Sequence, residues 1–305
     1  MHTTHTLKRN LNTLCVYDGP SIIDGTRVIV LVTGYATPSI NTKTGDMLQA
    51  YVLRADMPPS AAAASGADSA VCGECKLRPL LVALERKLGD IDRVPCYVDK
   101  VRGPDGVWHS WAAGRVEYVT PSDAAARYAK LRRCPGPCDK GCKLAHNHMA
   151  WLDPISPWQK SGHGRKRCES IGHATTPLGL RDGAYGDPAA IEASVWQALH
   201  LDGRKRTSYT HQWETSPKLA NMAMASIDNQ TWPDVDAAIE RAKALGFRWY
   251  RILRKGETPR KDERMCPEAT TNGEISCADC GACDGSADRN GRKRNLIGIT
   301  IPAIT

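Results

Sequence analysis

Two apolar runs near the start of the chain, RVIVLVTGY at 27–35 and LQAYVLR at 48–54, are rich in β-branched residues. Between them lies ATPSINTKTGDM, a stretch of turn formers. The pattern predicts two strands paired antiparallel. PPSAAAASGADS at 58–69 is small and reads as an exposed loop. KLRPLLVALERKLG at 76–89 repeats apolar positions at helical spacing, with Pro79 tolerated only in its first turn. VPCYVDKV at 94–101 is a short strand or loop. PSDAAARYAKLRR at 121–133 reads as a helix with a Ser or Asp cap.

Residues 134–175 keep no period and are rich in Gly and Pro, as expected of an insertion stapled by metal or a long irregular segment. Regularity returns at 176. TPLGLRDGAYGD leads into PAAIEASVWQALHLDG, where Pro188 suits a first turn and Ile191, Val195, Ala198 and Leu199 form a helical stripe. RTSYTHQW follows, then SPKLANMAM as a short helix, MASIDN, the amphipathic WPDVDAAIERAKALG ending at Gly246, and FRWYRIL. Alternation of this kind predicts a parallel sheet with helical crossovers. The expected class is therefore α/β: a TIM-barrel-like or partial (β/α) parallel sheet with Cys-rich metal-binding segments and an N-terminal antiparallel strand pair. Three blocks follow: 1–133 with the strand pair and a first cysteine set, 134–175 as a Cys/His-rich insertion, and 176–305 as the (β/α) region ending in a four-cysteine site.

Ligands of parallel α/β sheets bind beyond the carboxyl ends of the strands. Those ends supply Asp187, then His211 and Gln212, then Ser226 and Asp228, and then Arg251 or Arg254. Either aspartate could equally cap the helix that follows it. Four successive polar strand ends favour a shared site.

Composition sharpens this picture only in part. The chain has 305 residues, 41% of them hydrophobic, enough for a sizeable core. Its formal net charge of +8 suits a polyanionic partner; the partner expected is a nucleic acid, DNA ahead of RNA. Basic runs at 165–168, 203–208 and 291–295 could share a phosphate-facing surface, although such runs are commonly just solvated faces. MHTTHTLKRNLNTLC lacks the apolar core of a signal peptide, and VIVLV at 28–32 is too short to cross a bilayer. The expectation is a cytoplasmic protein with no membrane partner. No P-loop, dinucleotide-binding glycine fingerprint or HExxH is present, which disfavours ATPase, nicotinamide-linked and zincin chemistry.

Twelve cysteines in a reducing compartment read as metal ligands rather than disulfides. Cys266, Cys277, Cys280 and Cys283 carry two C-x2-C steps that share Cys280, a spacing that directs thiolates at one ion. Zinc is the default, and a four-iron cluster also takes four cysteines. Cys72 and Cys75, with Cys96, form a second set that could hold a second zinc or an iron–sulfur cluster with an open position. His109 or another residue could instead close it. Cys134, Cys138 and Cys142, with Cys168 and nearby histidines, form a third set, read as a zinc-stapled insertion ahead of a redox cluster. Its C-x3-C-x3-C is one residue longer than the C-x3-C-x2-C loop of radical S-adenosylmethionine enzymes. Cys15 reads as a buried thiol.

The segments GDPAA, YTHQW, MASID and CPE…CADCGAC together resemble a group of phage and actinobacterial proteins related to the family called phage gene product 88. The resemblance covers 177–301 and, through VCGEC…PCYV, reaches back to about residue 72. It implies a phage or prophage origin, hence a host-cell cytoplasm, and carries no assured activity. A weaker similarity runs to tRNA-guanine transglycosylases and their phage relatives that insert 7-deazaguanines into DNA. Those are barrels with catalytic aspartates at strand ends and a zinc site near the C-terminus. Here only four parallel strands are legible, and no His follows Cys283.

Three functions compete. One is base exchange at a glycosidic bond, with Asp228 as nucleophile and Asp187 as acid/base. His211 and Gln212 would bind the base, Trp213 or Tyr209 would stack on it, and Ser226 and Arg251 would complete the pocket. The second is a radical S-adenosylmethionine-like iron–sulfur enzyme. The third is a zinc-stabilised, non-catalytic nucleic-acid-binding protein.

Overall fold

The computed structural model describes residues 13–35, 43–88, 117–133, 176–227, 232–271, 273–286, 288–289, 292–293 and 298–301. In chain order the strands are β1 (Thr13–Pro20), β2 (Arg27–Thr33), β3 (Leu48–Arg54), β4 (Glu117–Tyr118), β5 (Arg132–Arg133), β6 (Thr176–Pro177), β7 (Leu180–Tyr185), β8 (Arg206–Thr207), β9 (Tyr209–Thr210), β10 (Met224–Ser226), β11 (Trp249–Ile252), β12 (Glu263–Met265), β13 (Asp288–Arg289), β14 (Arg292–Lys293) and β15 (Gly298–Ile301).

The expected antiparallel pair is present. β2 and β3 run antiparallel from Val28↔Arg54 to Thr33↔Gln49, and β1 pairs antiparallel on the other side of β2. Both faces of β2 are covered. Val28, Val30 and Val32 join the main core, while Ile29 and Leu31 pack with Cys15 and Leu53 in a smaller cluster. Burial on two faces explains why the run is continuously apolar rather than alternating.

Within this sheet the pairing from β3 onward is parallel, while β5–β6 and β13–β14 form separate short antiparallel pairs. β3 pairs with β7 and β7 with β8, so the first sheet reads β4-β1-β2-β3-β7-β8. A single residue, Ser208, separates β8 from β9, and there the chain passes into a second sheet, β12-β15-β11-β10-β9. Every described pairing in that second sheet is parallel. Along β3, β7, β8–β9, β10 and β11, spatial neighbours follow chain order. This is the arrangement of successive strand–crossover units. The fold is thus mixed α/β with a mainly parallel sheet and an antiparallel strand pair. Among the described residues the strands form open sheets, not a closed barrel. Strands from 1–133 and from 176–305 share the first sheet. The block 134–175 and the segment 94–101 lie outside the described residues.

Several local expectations shift. The alanine run read as a loop forms the helix Pro59–Ser65, with Pro59 in its first turn, a left-handed Gly66 at its end, and Ala62 and Ala63 buried. Alanine is the strongest helix former, and here it also packs inward. The helix Pro121–Ala129 is capped by Thr120, whose hydroxyl accepts from the Asp123 amide at 3.1 Å. The element expected from Pro188 onward is split. A 3-10 turn at Pro188–Ala190 is followed by an extended Ile191 and then the helix Ala193–Leu199. Trp196 braces the break by donating its Nε1–H to the Pro188 carbonyl at 2.8 Å. Val235–Ala244 is helical as expected, capped by Asp234. Among the described residues no helix is long and apolar enough to cross a membrane.

The second sheet carries charge in its core. Arg251 and Glu263 are 1% and 2% exposed. The guanidinium meets the carboxylate through Nε at 2.6 Å and Nη2 at 2.8 Å. Trp249 Nε1 donates to Glu263 Oε1 at 2.9 Å, and Glu257 takes a further Arg251 N–H. β15 runs beneath this contact, and a Cβ at Gly298 would lie 2.1 Å from Trp249 Nε1. Only glycine fits there.

Candidate functional site at the ends of the parallel strands

β7 ends at Tyr185, and two residues later Asp187 becomes the junction of three segments. Its Oδ1 accepts from the Ala189 amide at 2.9 Å, which caps the following turn. Its Oδ2 accepts from the His211 amide at 2.7 Å, just past the end of β9. Its own amide donates to the Val71 carbonyl at 2.7 Å. The capping reading and the shared-site reading of Asp187 therefore both describe the same carboxylate. His211 Nδ1 stands 4.0 Å from Asp187 Oδ2, and the two side chains are 26% and 4% exposed. The acid is enclosed and the imidazole reaches solvent. Burial pushes the Asp187 carboxyl above the usual carboxylate range, against the pull of His211, Thr210 and the two amides.

The loop that bears Cys72 and Cys75 presses on this junction. Gln212 Nε2 donates to the Cys72 carbonyl at 3.2 Å. Gly73 has φ +56°, a backbone conformation that favours glycine, and a Cβ there would lie 2.6 Å from Gln212 Cδ and displace that amide. Cys72 is half-buried and Cys75 buried. Burial raises the Cys72 thiol, and Cys75, Asp68 and Asp187 raise it further. Behind it Asp68 and Arg78 face each other at 3.7 Å. The sequence marks Cys72 and Cys75 as ligands but carries no sign that they lie beside Asp187. That proximity follows from the parallel pairing of β3 with β7, which no local pattern announces. Asp68 and Arg78 were missed for the same reason. The buried contact of His200 Nε2 with Asp182 Oδ2, at 2.7 Å, likewise had no signal.

The remaining strand-end residues divide. Ser226 closes β10 and is 8% exposed. The register Ala225↔Thr210 places it level with His211. Asp228, the expected nucleophile, lies outside the described residues. Three expected substrate contacts are placed elsewhere. Trp213 is fully buried, its ring 5.0 Å from Trp232 and 6.5 Å from Phe247, so no face is left for a ligand. Arg251 is held in the ionic core, away from any phosphate. Tyr209 lies on the opposite face of its strand from Thr210, with its ring 4.7 Å from Tyr250 and packed against the cluster that holds Cys283. The basic run at 203–208 is also used internally. Arg204 binds the Leu131 and Ala129 carbonyls, Lys205 the Asp279 carbonyl, and Arg206 the Asn221 and Asp284 carbonyls.

Of the metal-ligand sets, Cys96, Cys134, Cys138, Cys142 and Cys168 lie outside the described residues, as does His109. Among the described residues no three His, Cys, Asp or Glu side chains are set so as to hold a metal ion as they stand. Cys266 and Cys283 pack in one cluster with Met224 and Ile299. Cys277 packs with Met47 and Ala278. Cys15 is buried as expected, its thiol pushed up to about 12 by burial.

A scan against protein-family models finds no matching family, and searches of curated proteins and of solved structures find no match.

Proposed function

We propose that this chain is an enzyme that exchanges or modifies a base on a nucleic acid, DNA ahead of RNA, with its centre at the rim where β7, β9 and β10 end. The observation that carries this reading is the contact of one buried carboxylate, Asp187, with His211 across two strand ends. Both Asp187 oxygens already accept backbone N–H groups, so its part is to hold and polarise His211 rather than to trade protons itself. In the exchange reaction an Asp228 carboxylate oxygen attacks C1′ of the target nucleoside, forming a C1′–O bond as the C1′–N bond breaks. The departing base takes its proton from His211. An incoming base then displaces the carboxylate and returns a proton to His211, so charge balances and no redox partner is needed. The resemblance to phage proteins and the positive net charge support the substrate class. The test is to incubate the protein with DNA, RNA and candidate bases and follow nucleoside composition by mass spectrometry. Asp228→Ala and His211→Gln should each lower turnover at least about a hundredfold while remaining folded. Folded variants with full turnover would remove both assignments.

A second reading, an iron–sulfur enzyme of the radical S-adenosylmethionine type, draws on the position of the Cys72 loop at this same rim. A cluster on Cys72, Cys75 and Cys96 would then sit beside Asp187 and His211. Anaerobically purified protein carrying iron and sulfide that Cys75→Ser loses favours it. Colourless protein with full base-exchange activity rules it out. The third reading, a binding module only, predicts salt-dependent DNA affinity untouched by Asp228→Ala.

A further inference from the structure

The stretch from Cys266 to Asp284 has very little core of its own. Its two helices, Pro267–Thr270 and Cys277–Cys280, are one turn each, and its one large aliphatic residue, Ile275, is 38% exposed. Segments this poor in apolar area rarely hold a fixed shape without a cross-link. This one nevertheless docks on five separate places. The Cys266 amide donates to Thr300 and the Cys277 amide to Lys43, both at 2.8 Å, while the Ser208 amide donates to Cys283 at 3.0 Å. Lys205 reaches the Asp279 carbonyl, and buried Arg248 meets Asp284 at 3.1 Å. The turn at Cys277–Cys280 is fixed by a capping box between Ser276 and Asp279. All four cysteines are free thiols. Cys277, Cys266 and Cys280 are all electrostatic neighbours of Cys283.

We propose that Cys266, Cys277, Cys280 and Cys283 draw together around one zinc-class divalent ion, in a closed four-thiolate site that pins this stretch across the starting ends of β9, β10 and β11. Tyr209 is a positioning residue of that site: it packs against the cluster that holds Cys266 and Cys283, and within this proposal its hydroxyl donates to the Cys283 sulfur and so sets that ligand's orientation and electron density. Tyr209 is the first residue of β9, and His211 follows two residues later, so the ion also fixes the strand that presents the imidazole. The assignment concerns structure and does not rest on the rim's chemistry.

The experiment loads the full chain with cobalt(II) alone after removal of resident metal. A tetrahedral four-thiolate site gives intense visible bands. Cys283→Ser should lose about one equivalent of metal relative to the parent and unfold at lower temperature. Cys280→Ser, at the most exposed of the four, serves if Cys283→Ser does not fold. Tyr209→Phe should keep the metal yet shift the sulfur-to-cobalt charge-transfer band, which a purely packing role for the ring does not do. Unchanged metal content and spectrum in Cys280→Ser and Cys283→Ser overturn the site. So does iron with sulfide in the purified parent that Cys280→Ser loses, since the occupant is then a cluster.

Discussion

In the first sheet Val28, Val30, Leu48, Ala50 and Val52 are all 0% exposed, and β1, β2 and β3, of seven or eight residues, pack chiefly through aliphatic side chains, although Asp182 on β7 meets His200 in a buried contact. In the second sheet the described strands run two to four residues, and the core beneath them holds a guanidinium, a carboxylate and an indole N–H in mutual contact. Apolar burial is non-directional, so the first sheet tolerates exchange of one aliphatic group for another of similar volume. A buried ion pair behaves differently. Its net contribution is small, yet removal of one partner strands the other without water. The second sheet is therefore the more brittle of the two, although it buries fewer large aliphatic side chains.

The largest expected effect breaks the ionic core. Glu263→Ala leaves Arg251 buried against Glu257 alone and should cost about 3–5 kcal/mol in denaturant unfolding. A loss below about 1 kcal/mol would show that the second sheet is held by something else. Next, Leu48→Ala in the first sheet should cost about 3 kcal/mol, with Leu48→Met far milder. If Leu48→Met proves as harmful as Leu48→Ala, the contrast in tolerance between the sheets fails. The smallest effect is on pH dependence. Burial pushes Glu263 up, but Arg251, the Arg260 amide and Trp249 hold its net value below the usual range. Its stabilising contribution is present above the unfolded pKa and is lost as pH falls through the folded one. Asp187, raised by burial, has the opposite sign. Its contribution is full below the unfolded value and fades as pH rises through the folded value. Stability–pH curves of Glu263→Gln and Asp187→Asn should thus deviate from the parent with opposite slopes in the acid range.

The antiparallel pair was legible because a β-branched run with turn formers on its flank has few other solutions. The strand-end positions of Asp187, His211 and Ser226 were legible for a related reason, since alternating elements fix where polar ends fall. Roles were less legible than positions. Trp213 and Arg251 look like ligand contacts in the sequence, but the partners that bury them stand apart in the chain: Trp232 is 19 positions from Trp213, and Glu257 and Glu263 are 6 and 12 positions from Arg251. The alanine run at 58–69 was misread because small residues serve loops and helices equally, and only Pro59 and Gly66 mark its two ends. No local signal places the Cys72 loop against Gln212, a contact spanning 140 positions.

Ser208 has a consequence for how this polypeptide could be divided. Because β8 and β9 are consecutive stretches of one backbone serving different sheets, no hinge separates a front half from a back half. A fragment beginning near residue 176 would carry β7 without β3 and leave its hydrogen-bonding edge bare, an invitation to self-association. Genetic shuffling should therefore have inherited the two sheets together, and expression of either half alone should yield insoluble material rather than an autonomous module.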